Sequence, residues 1–288
     1  MFQLFIEGII MNRRVLSLAL CLLLSVSTVS LFSQEDDEDS PLKFKSNKVP
    51  YFFGLIGGVN QAMHQAEIAT FADDDYCPFF ENSSGIGFFG GAFVWIPIGD
   101  VKDSKHSIYV RATYNTFPSE FQKSGFTNEA LVYSEGSDNA EVVRFTTDHT
   151  LDVTYNIFSI ELLYKYIVIP NIGICVGPTF DFPVTKTSIQ RLRIIDPANV
   201  SFIVPDPPKY RYEDGNRTII VNDGDIPETE SFRLAIKLGV QYEIITGTGF
   251  DIIPGLFYNF GVTKVSKSDD WRINAFQLGV DFRYRILL

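Results

Sequence analysis

The stretch RINAFQLGVDFRYRILL, Arg272 to Leu288, decides the fold, because its residues alternate in polarity along its length. One set is apolar: Phe276, Leu278, Val280, Phe282, Tyr284, Ile286 and Leu288. The alternate set is mostly polar: Ile273, Ala275, Gln277, Gly279, Asp281, Arg283 and Arg285. Successive side chains of a β-strand point to opposite faces, so one face must meet apolar surroundings and the other polar ones. The stretch therefore predicts either the closing strand of a transmembrane β-barrel or a half-buried strand of a soluble sandwich.

The N-terminal segment predicts export. Arg13 and Arg14 precede an apolar run over 15–29, and small residues follow it. This is the order of the basic, apolar and cleavage regions of a signal peptide. We therefore predict a signal peptide over 1–33, with Met11 as an alternative true start.

Residues 34–50 carry an acidic run, Glu35 to Asp39, followed by three lysines. A segment of this composition predicts a flexible periplasmic arm. It is either a solvated tail or a docking site for a basic partner.

The composition favours membrane association through strands. No stretch beyond Phe32 approaches the roughly 18 uncharged apolar residues of a membrane helix. The chain has 26 Phe, 13 Tyr and 21 Gly but only three Met, which is typical of β-structure. Its net charge of -11 argues against a nucleic-acid partner.

Runs of extended pattern occur eight times: 51–60, 85–98, 105–116, 142–169, 171–189, 232–245, 249–265 and 272–288. Most of the connections between them alternate between long and short. This alternation predicts an all-β, antiparallel up-and-down transmembrane β-barrel of about eight strands over residues 51–288. The short turns are then periplasmic and the long loops extracellular, with both termini in the periplasm. The long loop over 190–231 is rich in isoleucine, which predicts a hairpin that extends the barrel outward.

The alternation also assigns strand faces. In the run 142–169 the pattern slips near Phe158 and Ser159, which predicts a β-bulge there. Charged residues fall on the predicted inward faces at eleven positions: Arg111, Glu161, Lys165, Asp181, Arg233, Lys237, Glu243, Asp251, Asp281, Arg283 and Arg285. An eight-stranded barrel has room inside only for side chains, and isolated charges there are costly. We therefore predict a lumen closed by a network of paired charges.

Several segments, taken together, resemble a known family: 57–60, 63–67, 77–81, 84–88, 223–227 and 271–280. They resemble the outer-membrane β-barrel domain family of Bacteroidota, the barrel part of OmpA-like proteins, over 51–288. The resemblance implies a cell-surface barrel and assigns no chemistry to its motifs. Longer members continue into a peptidoglycan-binding domain. This chain stops at Leu288, so we expect no wall-tethering role.

Enzymatic activity is the main alternative to a structural or surface-interaction role for this barrel. Outer-membrane proteases and lipid A-modifying enzymes place a histidine near the outer rim, where it acts as a base. The candidates are His64 with Glu67, His106, and His149 with Asp148 and Asp152, of which His149 is the most suggestive. A hydrogen-bonded rim residue is the alternative reading of His149. The spacing of His and Cys residues predicts no metal site, and we expect no cofactor.

The sequence thus supports three functions. The first is a monomeric outer-membrane barrel with a structural or surface-interaction role, the second is a narrow porin-like channel, and the third is a rim-active lipid A or peptide hydrolase. The expected partners are outer-membrane lipid, the barrel-assembly machinery through the C-terminal strand, and an extracellular ligand at the loops.

Overall fold

A computed structural model describes residues 52–68, 79–99, 104–133, 140–246 and 249–285. The predicted signal peptide (1–33) and acidic arm (34–50) lie outside these residues. The described residues form twelve strands: β1 (Phe52–Ile68), β2 (Phe80–Ile98), β3 (His106–Thr116), β4 (Ser119–Tyr133), β5 (Ala140–Ile169), β6 (Ile172–Asp196), β7 (Arg211–Glu213), β8 (Thr218–Asp225), β9 (Arg233–Tyr242), β10 (Ile244–Ile245), β11 (Phe250–Gly261) and β12 (Asp270–Arg285). No helix in the described part of the chain is long and apolar enough to span a membrane.

Eight of these strands close into an antiparallel ring. The order around the ring is β1, β2, β3, β5, β6, β9, β11 and β12, and β12 pairs with β1 to complete it. Each of the eight extended runs in the sequence overlaps one strand of this ring. The predicted antiparallel barrel of about eight strands is therefore confirmed.

The two ends of the barrel differ in the length of their connections. At one end, which we call the short-turn rim, the connections are 99–105, 170–171 and 243–249. At the other end, the long-loop rim, they are 69–79, 117–139, 197–232 and 262–269. Phe52 and Arg285 pair with each other at the short-turn rim, so both ends of the barrel lie there.

The half of the barrel nearer the short-turn rim has an apolar exterior. Exposed side chains on it include Leu55, Val59, Phe88, Val110, Leu162, Val176, Ile236, Leu238, Val240, Leu256, Leu278 and Phe282. The alternation of the sequence places Val110 and Tyr114 of β3, Ile236 and Leu238 of β9, and Leu256 and Phe260 of β11 on outward faces, and all six are exposed, which confirms these faces. A continuous band of outward apolar residues around a polar interior is the surface of a transmembrane β-barrel.

The half nearer the long-loop rim has the opposite polarity. Its interior holds an apolar cluster that we call the outer core: Ala62, Ala66, Ile68, Phe80, Phe117, Phe121, Leu151, Val153, Tyr155, Ile157, Ile226, Val265, Trp271, Ile273 and Ala275. Its exterior carries polar residues such as Gln65, Asp152 and Thr154. A transmembrane strand needs only about 9–11 residues, whereas β5 has 30. The strands thus continue beyond the apolar band and pack there as in a water-soluble protein.

The bulge predicted near Phe158 and Ser159 is wrong. The pairing of β3 with β5 is uninterrupted from Asn156 to Tyr166, so β5 keeps its phase through this region. The sequence pattern changes there because the barrel interior changes from polar to apolar, while the same face of β5 continues to point inward. A bulge does occur opposite, in β6, because Ile157 pairs with Pro183 whereas Asn156 pairs with Thr185.

Two additional hairpins extend the barrel at the long-loop rim. β4, which the sequence pattern missed, pairs with the outer part of β5. β8 pairs with the outer part of β6, and β7 pairs with β8. The hairpin predicted within 190–231 is therefore present. Together β4, β5, β6, β8 and β7 form a sheet that projects beyond the ring.

Candidate functional site

The interior of the apolar-banded half holds the charges that the sequence places on inward faces. Ten of the eleven have described side chains and are between 0 and 6% exposed: Arg111, Glu161, Lys165, Asp181, Arg233, Lys237, Glu243, Asp251, Asp281 and Arg283. The side chain of Arg285 lies outside the described residues. Five of the ten are cations and five are anions, so this set of buried charges is formally neutral.

The central group of charges surrounds Arg111. Its Nη2 donates to Asp281 Oδ2 at 2.7 Å, and its Nη1 lies 3.8 Å from Glu161 Oε2. Lys237 Nζ donates to the other oxygen of Glu161. Gln241 Nε2 donates to the Asp281 oxygen that Arg111 also contacts, at 2.7 Å. Two cations and two carboxylates are thus joined in one chain across the lumen.

A second group lies closer to the short-turn rim. Lys165 Nζ donates to Glu243 Oε1 at 2.5 Å, and Arg283 Nη2 donates to the other Glu243 oxygen at 3.1 Å. The Nε and Nη2 atoms of Arg283 also donate to Asp251 Oδ2 at 3.0 and 2.8 Å. Because buried charges are tolerated only when they are paired and hydrogen-bonded, this geometry offsets part of their desolvation.

The remaining two charges, Asp181 and Arg233, pair in register on β6 and β9. Ser159 Oγ donates to Asp181 Oδ1 at 2.7 Å. Arg233 Nη2 donates to the backbone oxygen of Ile273 at 3.1 Å, and its guanidinium lies 5.7 Å from the centre of the Tyr155 ring. Arg233 therefore lies at the boundary between the charged layer and the outer core.

Neutral polar side chains complete the layer. Thr113 Oγ1 donates to Glu161 Oε1 at 3.1 Å. Asn115 Nδ2 donates to the hydroxyls of Thr113 and Ser159, and Gln277 Nε2 donates to Asn115 Oδ1 at 2.9 Å. Ser159 and Gln277 are absent from the predicted network. Their inward positions in the period-two pattern are the signal that identifies them.

Aromatic side chains fill the space among the charges. A buried cluster on the short-turn side comprises Phe52, Ile56, Phe89, Phe93, Trp95, Tyr109, Leu163, Cys175 and Phe257. The Arg283 guanidinium lies 4.3 Å from the centre of a Trp95 ring, and that of Arg111 lies 4.7 Å from the centre of Phe257. Cations above aromatic faces are stabilised by the ring quadrupole. The charges are therefore packed into a filled interior.

Glycine makes this packing possible at Gly239. A Cβ atom there would lie 2.1 Å from Cδ1 of Phe257, which is far inside van der Waals contact. The ring of Phe257 thus occupies the volume that a side chain on β9 would need. Glycine inside a strand commonly marks such a close approach.

The three candidate catalytic histidines are separated. His149 is buried on the inward face of β5, with Nε2 3.2 Å from Thr147 Oγ1 and its ring nearly perpendicular to that of Phe126. His64 is buried in the outer core region and accepts a hydrogen bond from Trp271 Nε1 at 3.2 Å. His106 is exposed near the short-turn rim and contacts Tyr164. The three candidates thus occupy three different environments.

Among the described residues, no group of three or more His, Cys, Asp or Glu side chains is arranged to hold a metal ion. The buried carboxylates of the lumen are instead bound by lysine, arginine and amide donors. The acidic groups at this site therefore serve the charge network.

No protein-family model matches the chain, and no curated protein matches its sequence. Solved structures that resemble it include Neisserial surface protein A, at 14% identity and a TM-score of 0.32, covering 81% of this chain and 97% of that one. Ail, the attachment invasion locus protein of Yersinia pestis, covers 82% and 99% at 8% identity and a TM-score of 0.31. The outer membrane protease OmpT from Escherichia coli covers 85% and 99% at 9% identity and a TM-score of 0.30. Similarity this distant carries no functional inference.

Proposed function

We propose that this chain is an outer-membrane β-barrel protein with a structural or surface-interaction role and a lumen closed by paired charges. In this proposal the short-turn rim faces the periplasm and the long-loop rim faces the cell surface. The observation that carries the proposal is the filled interior: a layer of paired charges and aromatic rings is covered by the outer core.

The polarity of the two halves supports the orientation. The long-loop half has an apolar interior, and its exterior carries many polar residues beside a few exposed apolar ones such as Ile86, so it suits an aqueous phase better than the apolar band does. The short-turn rim carries both ends of the barrel and only short connections, as in bacterial barrels whose turns are periplasmic. The resemblance to the Bacteroidota barrel family is in line with this arrangement. We further propose that the protein is monomeric and uses its C-terminal strand with the barrel-assembly machinery.

The projecting sheet is the surface on which we place the interaction role. It carries two edge strands, β4 and β7, and its loops are the longest connections of the barrel. Loops held by a rigid scaffold are the usual position of recognition surfaces. An extracellular ligand would therefore bind at this end.

A narrow channel is the second candidate, and the lumen argues against it. A water path would have to separate the Lys165, Glu243 and Arg283 group and then pass through the outer core. Breaking a buried ion pair by removing one partner costs roughly 3–5 kcal/mol, and beyond the charges a water path would meet the apolar side chains of the outer core. We therefore rank the channel function second to the closed-barrel function.

Planar bilayer conductance tests the closed lumen. The protein is folded in detergent, its folding is verified by a change in gel mobility on boiling, and it is then inserted into the bilayer. We expect no defined conductance steps. Uniform, stable steps from protein shown to be folded would overturn the closed lumen and move the channel to first place.

The orientation is tested separately on intact cells. An epitope inserted between Tyr133 and Ala140, where β4 and β5 meet, should be stained by antibody without permeabilisation. An epitope at Asn171, in the short turn between β5 and β6, should need permeabilisation. The opposite pattern would refute the proposed orientation without affecting the closed lumen.

A further inference from the structure

We propose that a groove on the outer flank of the barrel binds the phosphate head group of a membrane lipid. The groove has a volume of about 510 Å³, and its lining includes Glu230, Phe232, Val262, Lys264, Ser266 and Lys267. It lies where the first residues of β9 meet the connection from β11 to β12, at the upper margin of the apolar band. The inference rests on the proposed membrane location of the barrel.

The floor of the groove is apolar and belongs to the outward surface. Phe232 and Val262 are 42% and 40% exposed. The ring of Phe232 lies 5.6 Å from that of Phe182 and 6.4 Å from that of Phe180, centre to centre, and both of these rings lie on β6. The floor therefore continues into the lipid-facing band. An acyl chain that lies across both surfaces would contact apolar side chains along its length.

The lining of the groove contains more cations than carboxylates. Lys264 Nζ lies 3.3 Å from Asp270 Oδ1, and the same oxygen lies 3.9 Å from Arg272 Nη2. One carboxylate thus faces two cations. Lys267 is exposed, and its side chain forms no ion pair with any described residue. Within the lining itself, two lysines, Lys264 and Lys267, face one carboxylate, Glu230.

The position of these cations suits a lipid head group. Long lysine side chains at a membrane boundary extend their ammonium groups toward the head-group level while their methylene stems cover apolar surface. Basic pockets next to the hydrocarbon region recognise phosphate-bearing head groups. A free phosphate ion would use the lysines alone, whereas a phospholipid uses both the lysines and the apolar floor. The two features together therefore favour a lipid.

Native mass spectrometry of the detergent-folded protein tests the proposal, with anionic phosphatidylglycerol as the probe and zwitterionic phosphatidylcholine, whose phosphate is neutralised by choline, as the comparison. We expect the wild type to retain phosphatidylglycerol in preference. Lys264→Gln/Lys267→Gln should weaken that binding by roughly 30-fold, since each lysine near an anionic head group contributes about fivefold. Lys264→Arg/Lys267→Arg should retain it. Unchanged binding in the glutamine variant would overturn the site.

Two controls sharpen the test. Lys209→Gln/Arg211→Gln removes the same charge from exposed positions at the start of β7 and just before it, and should leave phosphatidylglycerol binding at the wild-type level. An equal loss in this control would mean that net charge, and not the groove, binds the lipid. Inorganic phosphate at millimolar concentration should fail to displace the lipid. Complete displacement would identify a free-anion site and refute the lipid proposal.

The outcome is separable from that of the proposed function. Lipid binding in detergent does not depend on which rim faces the cell exterior or on whether the lumen conducts. A negative result for the groove would therefore not affect the proposed closed barrel. In the same way, a conducting lumen or a reversed orientation would not decide whether the groove binds lipid.

Discussion

Ile157 and Ser159 lie two residues apart on the same inward face of β5, and the polarity of the barrel interior changes between them. Ile157 is fully buried in the outer core. Ser159 is 1% exposed, and its hydroxyl donates to Asp181 in the charged layer. A transmembrane barrel with a polar lumen therefore continues, without a break in β5, into a barrel packed like a soluble protein.

The outer core should contribute strongly to stability. Leu151→Ala removes a fully buried side chain, so we expect the free energy of unfolding to fall by about 3 kcal/mol. Leu162→Ala, on the exposed outward face, is the matched control and should cost less because it leaves no internal cavity. Urea unfolding of the folded protein in micelles, followed by tryptophan fluorescence, measures both. Equal losses would contradict a packed outer core.

The central charge group should behave as one unit. Glu161→Gln leaves Lys237 and Arg111 without a shared carboxylate, so we expect a loss of roughly 3–5 kcal/mol in the free energy of unfolding. Adding Lys237→Met should restore part of the lost stability, because it removes the buried cation that Glu161→Gln leaves without a partner. A double-mutant cycle in urea measures the coupling, and additive effects of the two substitutions would refute the network.

Removal of Lys165 and Arg283, the two cations of the group closer to the short-turn rim, should not open the barrel. In Lys165→Ala/Arg283→Ala the short-turn side loses two large side chains, but the outer core still blocks the long-loop side. We expect this variant to remain silent in a planar bilayer once its folding has been checked by gel mobility. Defined conductance would show that the outer core does not seal the lumen.

Cys175 should react only when the barrel unfolds. Its side chain is fully buried in the lumen, where Sγ donates to Gln241 Oε1 at 3.3 Å. Cys77 lies outside the described residues, so the test uses the mature chain with Cys77→Ser. We expect no maleimide labelling in detergent and complete labelling in urea. Rapid labelling of the folded protein would reveal an aqueous path to the lumen.

Substitution of His149 should leave membrane lipids unchanged. The side chain is 2% exposed and contacts Thr147 and Phe126, whereas a general base must reach its substrate. Cells that express His149→Ala and wild-type protein at equal levels should therefore have the same lipid A composition. A difference that depends on His149 would support the hydrolase hypothesis.

The sequence predicted the ring well because strand faces follow from local geometry. Period-two alternation depends only on neighbouring residues, and it located the eight runs and the outward faces of β3, β9, β11 and β12 correctly. It did not identify β4, which has no lipid-facing side to mark it, and the hairpin of β7 and β8 was predicted from the isoleucine content of 190–231, not from alternation. It also misread the change at Ile157 and Ser159 as a bulge, because a change in the environment of one face looks like a change of phase.

The sequence by itself determined that this protein is an antiparallel barrel and which charges point inward, since both follow from the alternation of side chains along each strand. Only the tertiary structure decided which of those charges meet. Arg111 and Asp281 are 170 residues apart, and their contact depends on ring closure. The bulge in β6 and the pairing around the ring set which side chains share a level in the lumen, and no local pattern encodes such long-range register.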